Sequence, residues 1–252
     1  MLMMRTANPA LHARTFDRLD WAGEPARVMT IQGTVNRTLV LLALLLVTAG
    51  WTWNLFFQSL NAAAIMPWLI GGLIGGLVAA MVTVFKKTWS PVTAPIYALL
   101  EGLVLGGISA LFETRFPGIV IQAVGLTFGT LFCLLVAYSS GVIRATENFK
   151  LGVVAATGGI GVIYLVTIGL GFFGISVPYI HDSGVIGIGF SVFVVVIAAL
   201  NLVLDFDFIE HAAQQGAPKY LEWYGAFGLM VTLIWLYLEI LRLLAKLHQN
   251  RR

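Results

Sequence analysis

Charge and cysteine are what this chain has least of. Only 11% of its 252 residues are Asp, Glu, Lys or Arg, against roughly 25% in soluble domains, whose surfaces need them. A chain with less than half that share must set much of its surface against something other than water. One cysteine, Cys133, excludes an internal disulfide. It sits inside an apolar run and reads as a small packing residue. The four histidines, His12, His181, His211 and His248, have no partner at ligand spacing, so no metal site is expected. HExxH is absent, no GxGD lies in an apolar run, and no glycine-rich loop has the spacing and lysine of a phosphate cradle. No Ser/His/Asp constellation is visible. The chain is therefore expected not to be an enzyme and to need no cofactor.

What is present is apolar: 59% of the residues are hydrophobic and the mean hydropathy is +0.90. A helix crosses the ~30 Å hydrocarbon core with about 20 apolar residues. Seven stretches qualify: 39–57, 66–85, 92–112, 119–140, 151–173, 184–204 and 223–247. They are continuous rather than alternating, which selects helices over barrel strands. The expected fold is an all-α membrane protein, a bundle of about seven transmembrane helices. Residues 1–37 then form an N-terminal tail, 38–247 the membrane domain and 248–252 a basic C-terminal tail. The net charge of +3 sits in short connections, so it points to retention on the cytoplasmic face and not to nucleic acid.

The positive-inside rule orients the chain. The tail carries Arg5, Arg14, Arg18, Arg27 and Arg37, and the second and fourth connections carry Lys86 and Lys87, and Arg144 and Lys150. The first connection has no Lys or Arg, the third only Arg115, and the fifth has His181 and Asp182 instead. The N-terminus is therefore expected in the cytoplasm. A signal peptide places its apolar region almost at once, and this tail does not. The seventh segment conflicts with the rule, since a full crossing puts Arg242, Lys246, Arg251 and Arg252 outside. Its length favours the crossing.

Apolar helices in lipid associate by close contact, which glycines four apart permit. Gly71 with Gly75, Gly72 with Gly76, Gly102 with Gly106, and Gly125 with Gly129 fit that pattern, and Gly158, Gly159 and Gly161 form a further cluster. The pairs are expected at helix contacts, and the cluster permits close approach or local distortion.

An ionisable group inside the bilayer costs at least ~2.5 kcal/mol on insertion scales, so each one is a functional candidate. Glu101 lies near the middle of the third segment and must face the bundle interior. The sixth ends in Asn201-Leu-Val-Leu-Asp205-Phe-Asp207-Phe-Ile-Glu210. At 100° per residue Asn201 and Asp205 share a face, while Asp205 and Asp207 diverge by about 200°. Asp205 is thus the better internal candidate, with Asp207 and Glu210 expected in solvent at the cytoplasmic end. An anion at a helix C-terminus also predicts a nearby cation. Glu239 in the seventh segment has Arg242 one turn on as an ion-pair partner. Glu222 and Lys219 read as the start of a helix with an aromatic interface belt. The first, second, fourth and fifth segments read as packing scaffold. Carboxylates on different helices suit binding or conduction of a cation, or proton uptake that changes a conformation. Burial disfavours the charged form of a carboxylate, so such a group can titrate near neutral pH and gate a path.

Met29-Thr-Ile-Gln-Gly-Thr-Val-Asn-Arg-Thr38, Tyr97-Ala-Leu-Leu-Glu-Gly102, the run from Asn201 to Glu210 and Trp235-Leu-Tyr-Leu-Glu-Ile-Leu-Arg-Leu-Leu244 occur in that order. In these motifs and in its seven-segment pattern the chain resembles the Bax inhibitor family (transmembrane Bax-inhibitor-motif proteins), and in particular its bacterial branch. The resemblance implies six helices around a central seventh, residence in the bacterial inner membrane and a pH-sensitive calcium leak. It also implies a sensor of two aspartates, one closing the sixth helix and one in the seventh. Asp205 matches the first, whereas Thr232 stands at the second position, with Glu239 two turns further on. Lys86 or Lys87 matches the family's basic group at the end of its second helix.

The expected function is a pH-modulated cation (calcium) leak channel. Glu101, Asp205 and Asp207 are its candidate pathway or sensor residues, supported by Glu239, Arg242 and Asn201. The expected partners are the lipid bilayer and calcium ions. The alternative is a non-transporting membrane regulator that binds a membrane protease or other membrane partner through its basic tail. A proton-coupled transporter ranks third.

Overall fold

A computed structural model describes residues 28–173 and 184–250. His12, Arg5, Arg14, Arg18 and Arg27 of the tail, His181 and Asp182 of the fifth connection, and Arg251 and Arg252 lie outside the described residues. Among the described residues, seven helices are long and apolar enough to cross a membrane, and there is no strand beyond an isolated bridge between Val28 and Pro218. The protein is an all-α membrane bundle.

Several helix ends have a local cause. α1 (Ile31–Ser59) opens on Thr30, whose hydroxyl accepts a hydrogen bond from the Gly33 N–H at 2.9 Å. It closes on Leu60 in the left-handed region (φ 48°). Asn61 then caps α2 (Ala62–Phe85), accepting from the Ala63 N–H at 2.9 Å. A 3-10 turn, Lys87–Trp89, leads into α3 (Ser90–Arg115), with Pro91 in its first turn, where a missing N–H costs nothing. α4 (Ile119–Ser139) and α5 (Glu147–Phe172) follow, α5 capped by Thr146. α6 (Val185–Gln214) and α7 (Leu221–Asn250) are joined by a turn containing Gly216 at φ 70°, a conformation that glycine adopts without strain.

The helices outrun the apolar stretches that announce them. α1 begins at Ile31, within the expected tail, and α7 continues through Asn250. α6 takes in Asp205, Asp207 and Glu210 as helical positions. Hydropathy marks the length in contact with lipid, whereas the backbone ladder runs on until a cap stops it.

The described residues form two compact units. One holds residues 28–117 and 208–231, that is α1 to α3 with the end of α6 and the start of α7. There the expected glycine contacts occur. A Cβ on Gly102 would strike Thr48 and the Leu45 carbonyl, one on Gly106 would strike the Ala49 backbone, and one on Gly72 would lie 2.7 Å from the Leu100 carbonyl oxygen.

The other unit holds 118–173, 184–207 and 232–250. Here the glycine expectation fails. A Cβ on Gly125, Gly129, Gly158, Gly159 or Gly161 would meet no described atom within 4 Å, and Gly71 of the first unit behaves likewise. The reason is burial: only 17% and 11% of the apolar windows of α4 and α5 are buried, against 56% for α7. No described residue packs against these glycines.

Candidate functional site

In the second unit, α5, α6 and α7 each carry residues three, four or seven apart, the spacings that stack side chains on one helical face. On α5 these are Lys150, Thr157, Ile160 and Tyr164; on α6, Ser191, Val194, Asn201 and Asp205; on α7, Thr232, Trp235, Glu239, Arg242 and Lys246. Their contacts form successive layers.

At one end Lys150 Nζ lies 2.7 Å from Asp207 Oδ2 and 3.5 Å from Glu147 Oε1. Asp207 is buried, which corrects the expectation that it is solvated. The cation predicted for this helix end is Lys150, brought in by α5. Glu210 is only partly buried and accepts a hydrogen bond from Gln214 Nε2 at 3.1 Å. Asp205 has no accessible surface at all. One turn away, Asn201 Nδ2 donates to Thr157 Oγ1 and to the Ile197 carbonyl, both at 2.8 Å.

The next layer is apolar. Ile160, Val194 and Ile197 are buried together, with Ala156, Phe190 and Trp235 packed against them. Beyond it the polar groups resume. Glu239 Oε1 accepts from Tyr164 Oη at 2.9 Å and from Arg242 Nη1 at 2.8 Å, and Arg242 Nη1 also donates to Tyr164 Oη at 3.0 Å. The Arg242 guanidinium carbon lies 5.5 Å from the Tyr164 ring centroid. The Glu239–Arg242 pair matches expectation; its third member on α5 does not, since that helix read as scaffold. Finally the buried Lys246 ammonium donates to the Gly187 carbonyl at 3.0 Å and to Ser191 Oγ at 2.9 Å. From Gly187 to Asp207 is 20 helical steps, ~30 Å, the thickness of the hydrocarbon core. Polar groups therefore recur along these three helices over a length equal to that thickness, with Asp207 reached by Lys150 on another face of α6, and one apolar layer interrupts them.

Asp205, Asp207, Asn201, Glu239 and Arg242 thus belong to one unit. Glu101 belongs to the other. It is partly buried between α2 and α3, where a Cβ on Gly76 would lie 3.2 Å from its Oε2. It makes no hydrogen bond or ion pair with another described residue. Thr232, where the resemblance places an aspartate, is buried.

Sequence reasoning missed Glu222 as an internal group. It is 1% exposed, and its Oε1 accepts from the Thr30 N–H at 3.1 Å and the Thr30 hydroxyl at 3.0 Å, with Lys219 Nζ at 3.4 Å. Arg37, stacked on Trp223, approaches Oε2 at 3.9 Å. A side chain on Gly33 would overlap this carboxylate. The carboxylate clamps the start of α1 onto the start of α7. Its position in the first turn of a helix was legible, but its partners at the head of α1 were not.

No curated protein and no solved structure matches the chain. A family model does, that of the Bax inhibitor 1 like proteins, which aligns with residues 6–249. A match over nearly the whole length, on a bundle of seven apolar helices, places this integral multi-pass membrane protein in the Bax inhibitor 1 like family.

Proposed function

We propose that the protein is a pH-modulated leak for cations, calcium among them, and that ions follow the polar face of α5, α6 and α7. The observation that carries this reading is the run of polar side chains from Lys246 to Asp207, ~30 Å long, with Asp205 wholly buried along it. An ionisable group inside a membrane domain marks an ion or proton route by default. Asn201 and Thr157 supply neutral oxygen and amide groups beside Asp205, and protonation of Asp205 removes the charge that draws a cation inward. The layer of Ile160, Val194, Ile197 and Trp235 is the closed point of the path, since an apolar constriction excludes a hydrated ion by staying dry.

In this reading the N-terminus is cytoplasmic in the bacterial inner membrane. Glu101 is a second carboxylate whose contribution is measured separately. The test is calcium flux from proteoliposomes at an acidic and at a neutral pH. Asp205→Asn should abolish most of the flux and flatten its pH dependence, with Glu101→Gln run alongside. Flux that is unchanged in Asp205→Asn rejects the pathway, and absence of flux at both pH values rejects the leak.

A further inference from the structure

Independently of conduction, the outward side of the Tyr164–Glu239–Arg242 cluster has the features of a ligand site. A cleft of about 240 Å³ opens there, lined by Tyr164, Thr167, Ile168 and Arg242. The two charged groups are not equivalent. The Glu239 side chain is 3% exposed and the Arg242 side chain 41%, so the carboxylate lies behind and the guanidinium is the charge presented to the cleft. Arg242 is also held, with Nη1 bonded to both Glu239 and Tyr164 and the guanidinium carbon 5.5 Å from the Tyr164 ring centroid. A guanidinium held by one arm keeps donors for a second, anionic partner, and its fork matches phosphate geometry.

Depth narrows the identity of that anion. Lys246, one turn beyond Arg242, bonds to Gly187, which stands ~30 Å along α6 from Asp207. Arg242 lies five residues, about 7.5 Å, from the end of the apolar stretch 223–247, within reach of the phosphate level for a side chain of its length. Below it, towards mid-membrane, α5 presents a shallow open strip. Gly158 and Gly161 have no described atom within 4 Å of a Cβ position, and Leu165 and Ile168 continue the same face, both largely exposed. The strip has the period of one helical face and leads to Ile168, which lines the cleft.

We propose that this cleft binds one phospholipid, its phosphodiester on Arg242 with Tyr164 and Thr167 beside it, and one acyl chain laid along Gly158, Gly161 and Leu165. Basic pockets between transmembrane helices are suited to anionic headgroups, and here the chain groove lies directly beneath the charge.

The test uses the full chain in detergent micelles, titrated with phosphatidylglycerol and read by native mass spectrometry and thermal melting. Diacylglycerol, which lacks the phosphate, and glycerol 3-phosphate, which lacks the chains, are the comparison ligands. Phosphatidylglycerol is expected to bind and raise the melting temperature, and each comparison ligand to bind at least tenfold more weakly. Gly161→Leu fills the strip without touching a neighbour and should weaken phosphatidylglycerol tenfold while leaving glycerol 3-phosphate unchanged. Replacing the ion pair together, Glu239→Gln with Arg242→Gln, avoids a lone buried carboxylate and should weaken both. Equal binding of glycerol 3-phosphate would make this a free-anion site and overturn the proposal. So would phosphatidylglycerol affinity within twofold of the wild type in both variants.

Discussion

Lys150→Met isolates the ion pair that anchors one end of the polar face. Lys150 and Asp207 meet at 2.7 Å, with side-chain exposures of 6% and 12%. Water therefore cannot replace the lost ammonium, and the substitution leaves Asp207 as a buried charge without this partner. Breaking a buried pair from one side costs about 3–5 kcal/mol. Glu147 does not soften that loss, because it is an anion, and being half exposed at 3.5 Å it contributes little in the native protein. In a chain of this length about 2–4 °C accompanies each kcal/mol, so the melting temperature should fall by about 6–20 °C. The measurement is thermal unfolding of the full chain in micelles for the wild type, Lys150→Met, Asp207→Leu and the double variant. Removing both charges leaves an apolar contact, so the double variant should recover most of the loss, which requires a coupling energy of at least about 3 kcal/mol. A fall of less than about 2 °C in Lys150→Met, or a double variant that falls by the sum of the singles, refutes the pair as a buried structural unit.

Ile197→Ser places a hydroxyl in the apolar layer and should raise calcium leak severalfold in proteoliposomes; flux equal to wild type would show that this layer does not close the path. Glu222→Ala removes two hydrogen bonds to Thr30 and should cost about 2–3 kcal/mol, read as faster amide exchange at Thr30 and Gly33; unchanged exchange there would remove the clamp. Gly106→Leu drives a side chain into the Ala49 backbone and should abolish folded protein in micelles. Gly129→Leu meets no described atom and should change stability by no more than about 0.5 kcal/mol; equal damage from both would contradict the assignment of one glycine to a helix contact and the other to none.

The crossings were legible because bilayer solvation is a property of residue type summed over about 20 positions, and no partner need be known. Asp205 was legible for a related reason, being an acid that directly follows an unbroken apolar run. What composition cannot supply is the partner. Asp207 reads as solvated because it sits near a helix end, and it is buried because Lys150 arrives from α5. Tyr164 and Thr157 are ordinary residues in an apolar run until Glu239 and Asn201 are set opposite them. Glycine spacing fails in the same way: Gly102 and Gly125 carry the same motif, but only Gly102 has a neighbouring backbone against it.

The charges along this face also bear on how a chain with Thr232 in place of a second aspartate could still respond to pH. Lys150, Arg242 and Lys246 stand against Asp205, Asp207 and Glu239, three basic groups against three acidic, all within one unit. These six side chains carry no net formal charge when every one is ionised, the half-exposed Glu147 standing outside the count, which limits the cost of holding them at depth. Of the three acids Asp205 is the most deeply buried, and the switch is assigned to the acid furthest from water. Asp205, on the same face as Asn201 and Thr157, fills that role in the proposed leak. Protonating it turns a neutral face into one with an excess positive charge, and a calcium ion is then repelled. On this reading one carboxylate suffices as the switch, and leak falls where it is protonated. A second aspartate at position 232 would add a negative charge facing the same path. Thr232→Asp should therefore raise flux at neutral pH and move its loss to a different pH, and flux unaltered at every pH would separate Asp205 from the charge balance that assigns it this role.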